Sequence, residues 1–104
     1  MTRSAQFAAL VAQQPDNELF RFSLAQALAA ESRLSEAVEH WQFCATRKTE
    51  WMMPRILLGK ALLQLGRTDE ARNVLESALA LAQTQNHEEP AAELTALLGA
   101  TSAR

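Results

Sequence analysis

The 104-residue sequence has no tyrosine, one isoleucine and three valines, so the side chains that favour half-buried strands are scarce. A β-sheet is thereby nearly excluded. Cys44 is the single cysteine and cannot close an internal disulfide, and one thiol with two separated histidines, His40 and His87, makes no metal-ligand cluster. Stability has to come from packing, and neither a metal nor another cofactor is expected. Charge of one sign is missing too: ten basic against twelve acidic residues leave a formal net charge of −2, without the electropositive footprint that holds nucleic-acid phosphates. Nucleic acid is not an expected partner. No apolar run reaches the roughly 18 residues of a membrane span, because Arg55, Lys60 and Arg67 interrupt the richest stretch. Nor does the start read as a secretory signal, since the apolar stretch 7–12 is short, rich in alanine and followed by Gln13, Gln14 and Pro15. No membrane partner is expected, and the cytoplasm is the expected compartment.

What the sequence has is alanine and leucine, 20 and 16 of them, both strong helix formers. A hydrophobic fraction of 48 % with 21 % charged residues suits one folded domain of this length. Proline and glycine punctuate the chain at Pro15, Pro54, Gly59, Gly66, Pro90 and Gly99, and between them apolar residues recur at helical spacing. An all-α fold of about six helices is predicted. The first, 4–14, stops before Pro15. The second, 17–31, takes Asp16 as its N-cap. The third is 34–47 and the fourth, 52–65, carries Pro54 in its first turn and ends at Gly66. The fifth starts after an N-cap at Thr68. The sixth runs from about 87 to 99, with Glu88 and Glu89 in its acidic first turn and Leu94, Leu97 and Leu98 on one side. Connections this short make successive helices antiparallel neighbours.

Laid over 52–85, residues 18–51 are identical at seven of 34 positions: Arg21/Arg55, Leu24/Leu58, Ala27/Ala61, Leu28/Leu62, Arg33/Arg67, Glu36/Glu70 and Ala37/Ala71. Small residues also align, as Ala25/Gly59, Ser32/Gly66 and Cys44/Ala78. A small residue at a helix crossing lets the large residue opposite seat itself, and a recurring crossing needs it in each unit. On these residues the sequence resembles the tetratricopeptide repeat family, whose unit is a helix–turn–helix of about 34 residues. Leu58-Gly59, Ala61-Leu62, Leu65-Gly66, Asp69-Glu70-Ala71, Leu75 and Ala78-Leu79 stand at the family's packing positions, and Leu24-Ala25, Ala27-Leu28, Ser32, Glu36-Ala37, Trp41 and Cys44 repeat them. The first copy departs at Ala25 and Ser32, where the family usually has glycine. The resemblance implies one repeat domain: a half-repeat helix at 1–15, repeats at 18–51 and 52–85, and a capping helix with tail at 86–104. The last segment fits only with a loop about two residues longer near 83–86. A helical bundle of four to six helices is the generic alternative.

Material for catalysis is thin. Cys44 lies on an apolar stripe where a small buried residue fits, against the alternative of a reactive thiol. His40 beside Glu39, and His87, read as surface residues rather than ligands. The Glu88-Glu89 pair suits a helix N-terminus, and Arg47, Lys48 and Arg55 suit a solvated face. No enzyme is expected. The resemblance implies instead a groove lined by the first helix of each unit, which binds extended peptides or helices. In this register the groove positions are Leu19, Phe22, Gln26, Ala29 and Ala30, then Met53, Ile56, Lys60, Leu63 and Gln64. Leu19, Phe22, Met53 and Ile56 would make an apolar patch of the kind that marks an interaction site. The family's carboxylate clamp uses Lys, Asn and Arg at positions that here hold Phe22, Gln26 and Leu57, so that mode is not expected. Trp51 is either an interface anchor or a packed linker residue. The expected function is a non-enzymatic protein-interaction module with a protein or peptide partner. The alternatives are a homo-oligomer joined through the same face, and a face covered by the sixth helix.

Overall fold

Helices form where the apolar periodicity and the turn residues place them. The structure, a computed structural model, describes residues 2–102, the last of them by its backbone alone. It contains α1 (Arg3–Gln13), α2 (Glu18–Ala30), α3 (Leu34–Arg47), α4 (Met52–Gln64), α5 (Thr68–Thr84) and α6 (Glu88–Ser102), with no strand among the described residues. The described chain divides into two compact units, the first reaching Thr49 and holding α1–α3, the second starting at Glu50 and holding α4–α6.

Three helices end in the same way. Ser32, Gly66 and Asn86 have φ of 63°, 78° and 60°, the left-handed conformation that follows a helix C-terminus. Behind each, the next residue's N–H reaches back to the last turn: Arg33 to the Leu28 carbonyl (2.8 Å), Arg67 to Leu62 (2.9 Å) and His87 to Ala82 (2.9 Å). This is the Schellman arrangement, and it satisfies carbonyls that the helix itself leaves unpaired. Only Gly66 adopts that conformation without a Cβ penalty, which for other residues is about 1–2 kcal/mol. Ser32→Gly is therefore expected to raise stability by about 1 kcal/mol in a denaturant melt, and Gly66→Ala to lower it by about as much, part of each change being offset by unfolded-chain entropy.

The helix starts differ from the sequence expectation at two places. Asn17, not Asp16, caps α2, because its Oδ1 lies where it accepts the Phe20 N–H (3.0 Å), whereas Asp16 is one residue too early and approaches Arg47 instead (3.6 Å). Thr68 is already helical, since the turn at Gly66 brings the Arg67 carbonyl into position to accept the Ala71 N–H (2.9 Å). Arg67 then uses its guanidinium on Glu70 (2.7 Å), as Arg33, 34 residues earlier, does on Glu36 (2.7 Å). The extra length expected in the loop near 83–86 goes into a helix: α5 has 17 residues against 14 in α3. Past Gly99, α6 continues into a buried Thr101, whose hydroxyl donates to the Leu97 carbonyl (2.8 Å); Gly99 has no positive φ to end the helix.

In the first unit α2 packs against α1 and α3, and Leu24, Ala25, Ala27, Leu28, Ala37, Trp41 and Cys44 are buried. A polar clasp fastens α1. Ser4, 2 % exposed, donates its N–H (3.1 Å) and its hydroxyl (2.6 Å) to the Glu31 carboxylate, while Arg33 donates to the Ser4 Oγ (3.3 Å). These hydrogen bonds, with Arg33 alongside, hold the Glu31 carboxyl below the usual carboxylate range. In the second unit α5 packs against α4 and α6. Ile56, Leu75, Ala78, Ala82 and Leu94 form its core, flanked by Met52, Leu63, Leu79, Ala91, Leu97 and Leu98. At the α4–α5 crossing a Cβ on Gly59 would overlap the Leu75 side chain, so the closeness of the two helices depends on that glycine.

Candidate functional site

Once the packing positions are filled, two large apolar side chains among the described residues remain exposed. Leu19 at the start of α2 is 64 % exposed and Met53 at the start of α4 is 49 % exposed. They occupy equivalent positions, 34 residues apart in the repeat register. Nothing in the core requires an apolar residue at either one.

In the second unit Met53 opens onto a cleft of about 260 Å³ between α4 and α6, lined by Met53, Ile56, Leu57, Lys60, Glu89, Pro90 and Glu93. Ile56 departs from the expectation of an exposed groove residue. It is 6 % exposed, in one core with Leu75 of α5 and Leu94 of α6, and so it forms the cleft floor. Lys60 spans the cleft to Glu93 of α6 (3.1 Å). Leu63 is half-buried and lines a second depression of about 230 Å³ with Thr68, Leu97, Ala100 and Thr101, while Gln64 is exposed. In the second unit helix α6 thus forms a wall of the cleft, taking Ile56 into the core and leaving Met53 open. Trp51 is half-buried at the N-cap of α4.

In the first unit a cleft of about 210 Å³ between α1 and α2 is lined by Arg3, Phe7, Ser23, Gln26, Ala27 and Ala30. Gln26 and Ala30 are exposed, and Phe22 and Ala29 are half-buried. A cluster that the sequence reading did not assemble joins α2 to α3. The Arg21 guanidinium lies 4.2 Å from the centroid of the Phe43 ring, donates to the Pro15 carbonyl (2.9 Å) and reaches His40 Nδ1 (3.3 Å). Arg47 stands 5.3 Å from the same ring. Burial, and then the Arg21 charge, push the His40 pKa down. The two arginines also hold the loop between α1 and α2, Arg21 through the Pro15 carbonyl and Arg47 through Asp16 (3.6 Å).

Cys44 is fully buried and its thiol donates to the Glu18 carbonyl (3.3 Å). Burial, with the Glu18 charge adding to it, pushes its pKa up to about 11. Thiolate is then scarce near neutral pH, so the folded protein is expected to resist maleimide or Ellman labelling at pH 8 until denaturant is added. Fast labelling without denaturant would contradict this burial. Among the described residues no group of three or more His, Cys, Asp or Glu side chains is placed to hold a metal ion, and no helix is long and apolar enough to cross a membrane.

No protein-family model matches the sequence, and no curated protein matches it. Solved structures do match the fold. PcrH from Pseudomonas aeruginosa, solved in complex with the chaperone binding region of PopD, gives a TM-score of 0.86 at 26 % identity, over 97 % of this chain and 77 % of that one. The Yersinia enterocolitica type III secretion chaperone SycD, in complex with a peptide of the translocator YopD, gives 0.84 at 21 % identity, over 95 % and 76 %. The TPR2B domain of yeast Sti1, in complex with pHsp70, gives 0.81 at 17 % identity, over 95 % and 79 %. The chain resembles the tetratricopeptide repeat proteins and has their all-α repeat fold.

Proposed function

We propose that this protein is a non-enzymatic interaction module that receives a peptide or helix of a partner protein on the first-helix faces of its repeats. The repeats are taken as 18–51 and 52–85, with α1 as a half-repeat and α6 as the cap. One observation carries the reading: Leu19 and Met53, at the same position of successive repeats, are large, apolar and exposed although packing does not need them. Exposed apolar surface at a repeating position is what an interaction face requires, and methionine adapts to varied partners. Support comes also from the neighbours in fold, three of which were solved with a bound peptide or chaperone-binding segment.

Leu19→Glu and Met53→Glu test this directly, because both sites are exposed and the fold should survive. Affinity capture from the source cell is expected to retain a partner with wild type and to lose it at least tenfold with either variant, their melting curves unchanged. Undiminished capture by both variants would refute the proposed face. Sedimentation at rising concentration separates the self-association alternative: dimers that both substitutions dissolve would mean that the face joins two copies of this chain.

A further inference from the structure

The cleft between α4 and α6 has an apolar floor and an uneven charge on its rim. Ile56, Leu57 and Pro90 lie in or beside the floor, and Met53 stands half-exposed at its edge. Three charged side chains line it: Lys60, Glu89 and Glu93. Lys60 and Glu93 neutralise each other across the cleft at 3.1 Å. Glu89 has no ion pair among the described residues. It stands one helical turn before Glu93, about 6 Å along α6, and like Glu93 it lines the cleft. The macrodipole of α6 explains why an acid is tolerated in the first turn. It supplies no cation to sit opposite that acid at the cleft mouth.

On the reading of this face as a peptide site, we propose that the cleft takes a segment in which an aliphatic side chain is flanked, within two residues, by a lysine or arginine. The aliphatic group enters over Ile56 and Leu57, and the cation pairs with Glu89. An extended peptide advances about 3.3 Å per residue, so one or two steps from a side chain seated on the floor reach a carboxylate on the rim. Lys60 would draw acidic segments, but its charge is already answered by Glu93, so Glu89 sets the preference.

A phage library displaying random 12-residue peptides, selected in parallel on wild type, Met53→Glu, Glu89→Lys and Glu76→Lys, tests the inference. Glu76 is an exposed acid of α5 that does not line the cleft, so its variant carries the same charge change elsewhere. Wild type and Glu76→Lys are expected to enrich peptides with Leu, Ile, Val or Met within two residues of Lys or Arg, and Glu89→Lys to enrich acidic flanks instead. Synthesised and labelled, the leading wild-type peptide should bind Glu89→Lys at least fivefold more weakly by fluorescence anisotropy, with Glu76→Lys within twofold of wild type. Wild-type peptides with apolar anchors but no basic bias, or with the same bias on Glu89→Lys, overturn this inference and leave peptide binding standing. No enrichment on wild type beyond that on Met53→Glu overturns both.

Discussion

Cutting the chain after Ala82 should cost the second unit its native fold. The cut removes α6 and with it Leu94, which is fully buried in one core with Ile56, Leu75, Ala78 and Ala82. Leu97, Leu98 and Ala91, packed against that core, leave at the same time. Burying one large aliphatic side chain is worth about 1.5–3 kcal/mol, so losing Leu94 and two partly buried leucines removes several kcal/mol from a unit that keeps only two helices. A 13-residue α4 and a shortened α5 are near the limit at which isolated helices persist in water. The expected outcome is aggregation, or far-UV circular dichroism that falls well below the full chain per residue. Leu94→Asp in the full-length chain should act in the same direction without shortening it, because the carboxylate would be buried unpaired. A truncated protein that stays monomeric and equally helical per residue would show that α6 is dispensable for folding.

The helices were legible because their signals are local. A leucine or alanine every three or four residues, and a glycine such as Gly66 at the left-handed turn, say where a helix runs and ends without knowing what it touches. The repeat added the crossings: Leu24 and Leu58, Ala25 and Gly59, Ala37 and Ala71 are all buried, as their shared register requires. What stayed hidden depends on contacts distant in sequence. The burial of Ser4 follows from Glu31, 27 residues on, and no local pattern marks a serine for that role. Asp16 and Asn17 are both good capping residues, and backbone geometry chose between them.

The same distinction divides the candidate site. Register alone puts Leu19 and Met53 at equivalent places on α2 and α4, and both are exposed. It puts Ile56 on the same face of α4, yet the side chain is buried in one core with Leu75 of α5 and Leu94 of α6. Periodicity identifies which face of α4 a residue occupies; only the packing of the next helix decides how much of that face stays open. The pairing of Lys60 with Glu93 belongs to the same class, since two charges 33 residues apart carry no mutual signal in the sequence.

Leu58→Ala should destabilise the protein by about 2–5 kcal/mol, and Ala71→Leu by about 1–3 kcal/mol. Leu58 is 1 % exposed on α4 and Ala71 is 0 % exposed on α5. The first change leaves a cavity that neighbours fill only partly, at about 24 cal/mol per Å³ of residual void. The second drives three extra heavy atoms into a helix crossing that is already closed, where Gly59 leaves no room for even a Cβ beside Leu75. Position, not composition, sets these costs. Leu57, the next residue along α4, is only half-buried at the cleft wall, and Leu57→Ala should cost roughly half as much as Leu58→Ala or less, since much of its surface already meets water. Urea melts monitored by circular dichroism give all three values. Should Leu58→Ala and Ala71→Leu both fall within about half a kcal/mol of wild type, or Leu57→Ala cost more than Leu58→Ala, then α4 is turned differently about its axis, and the face assigned to the partner turns with it.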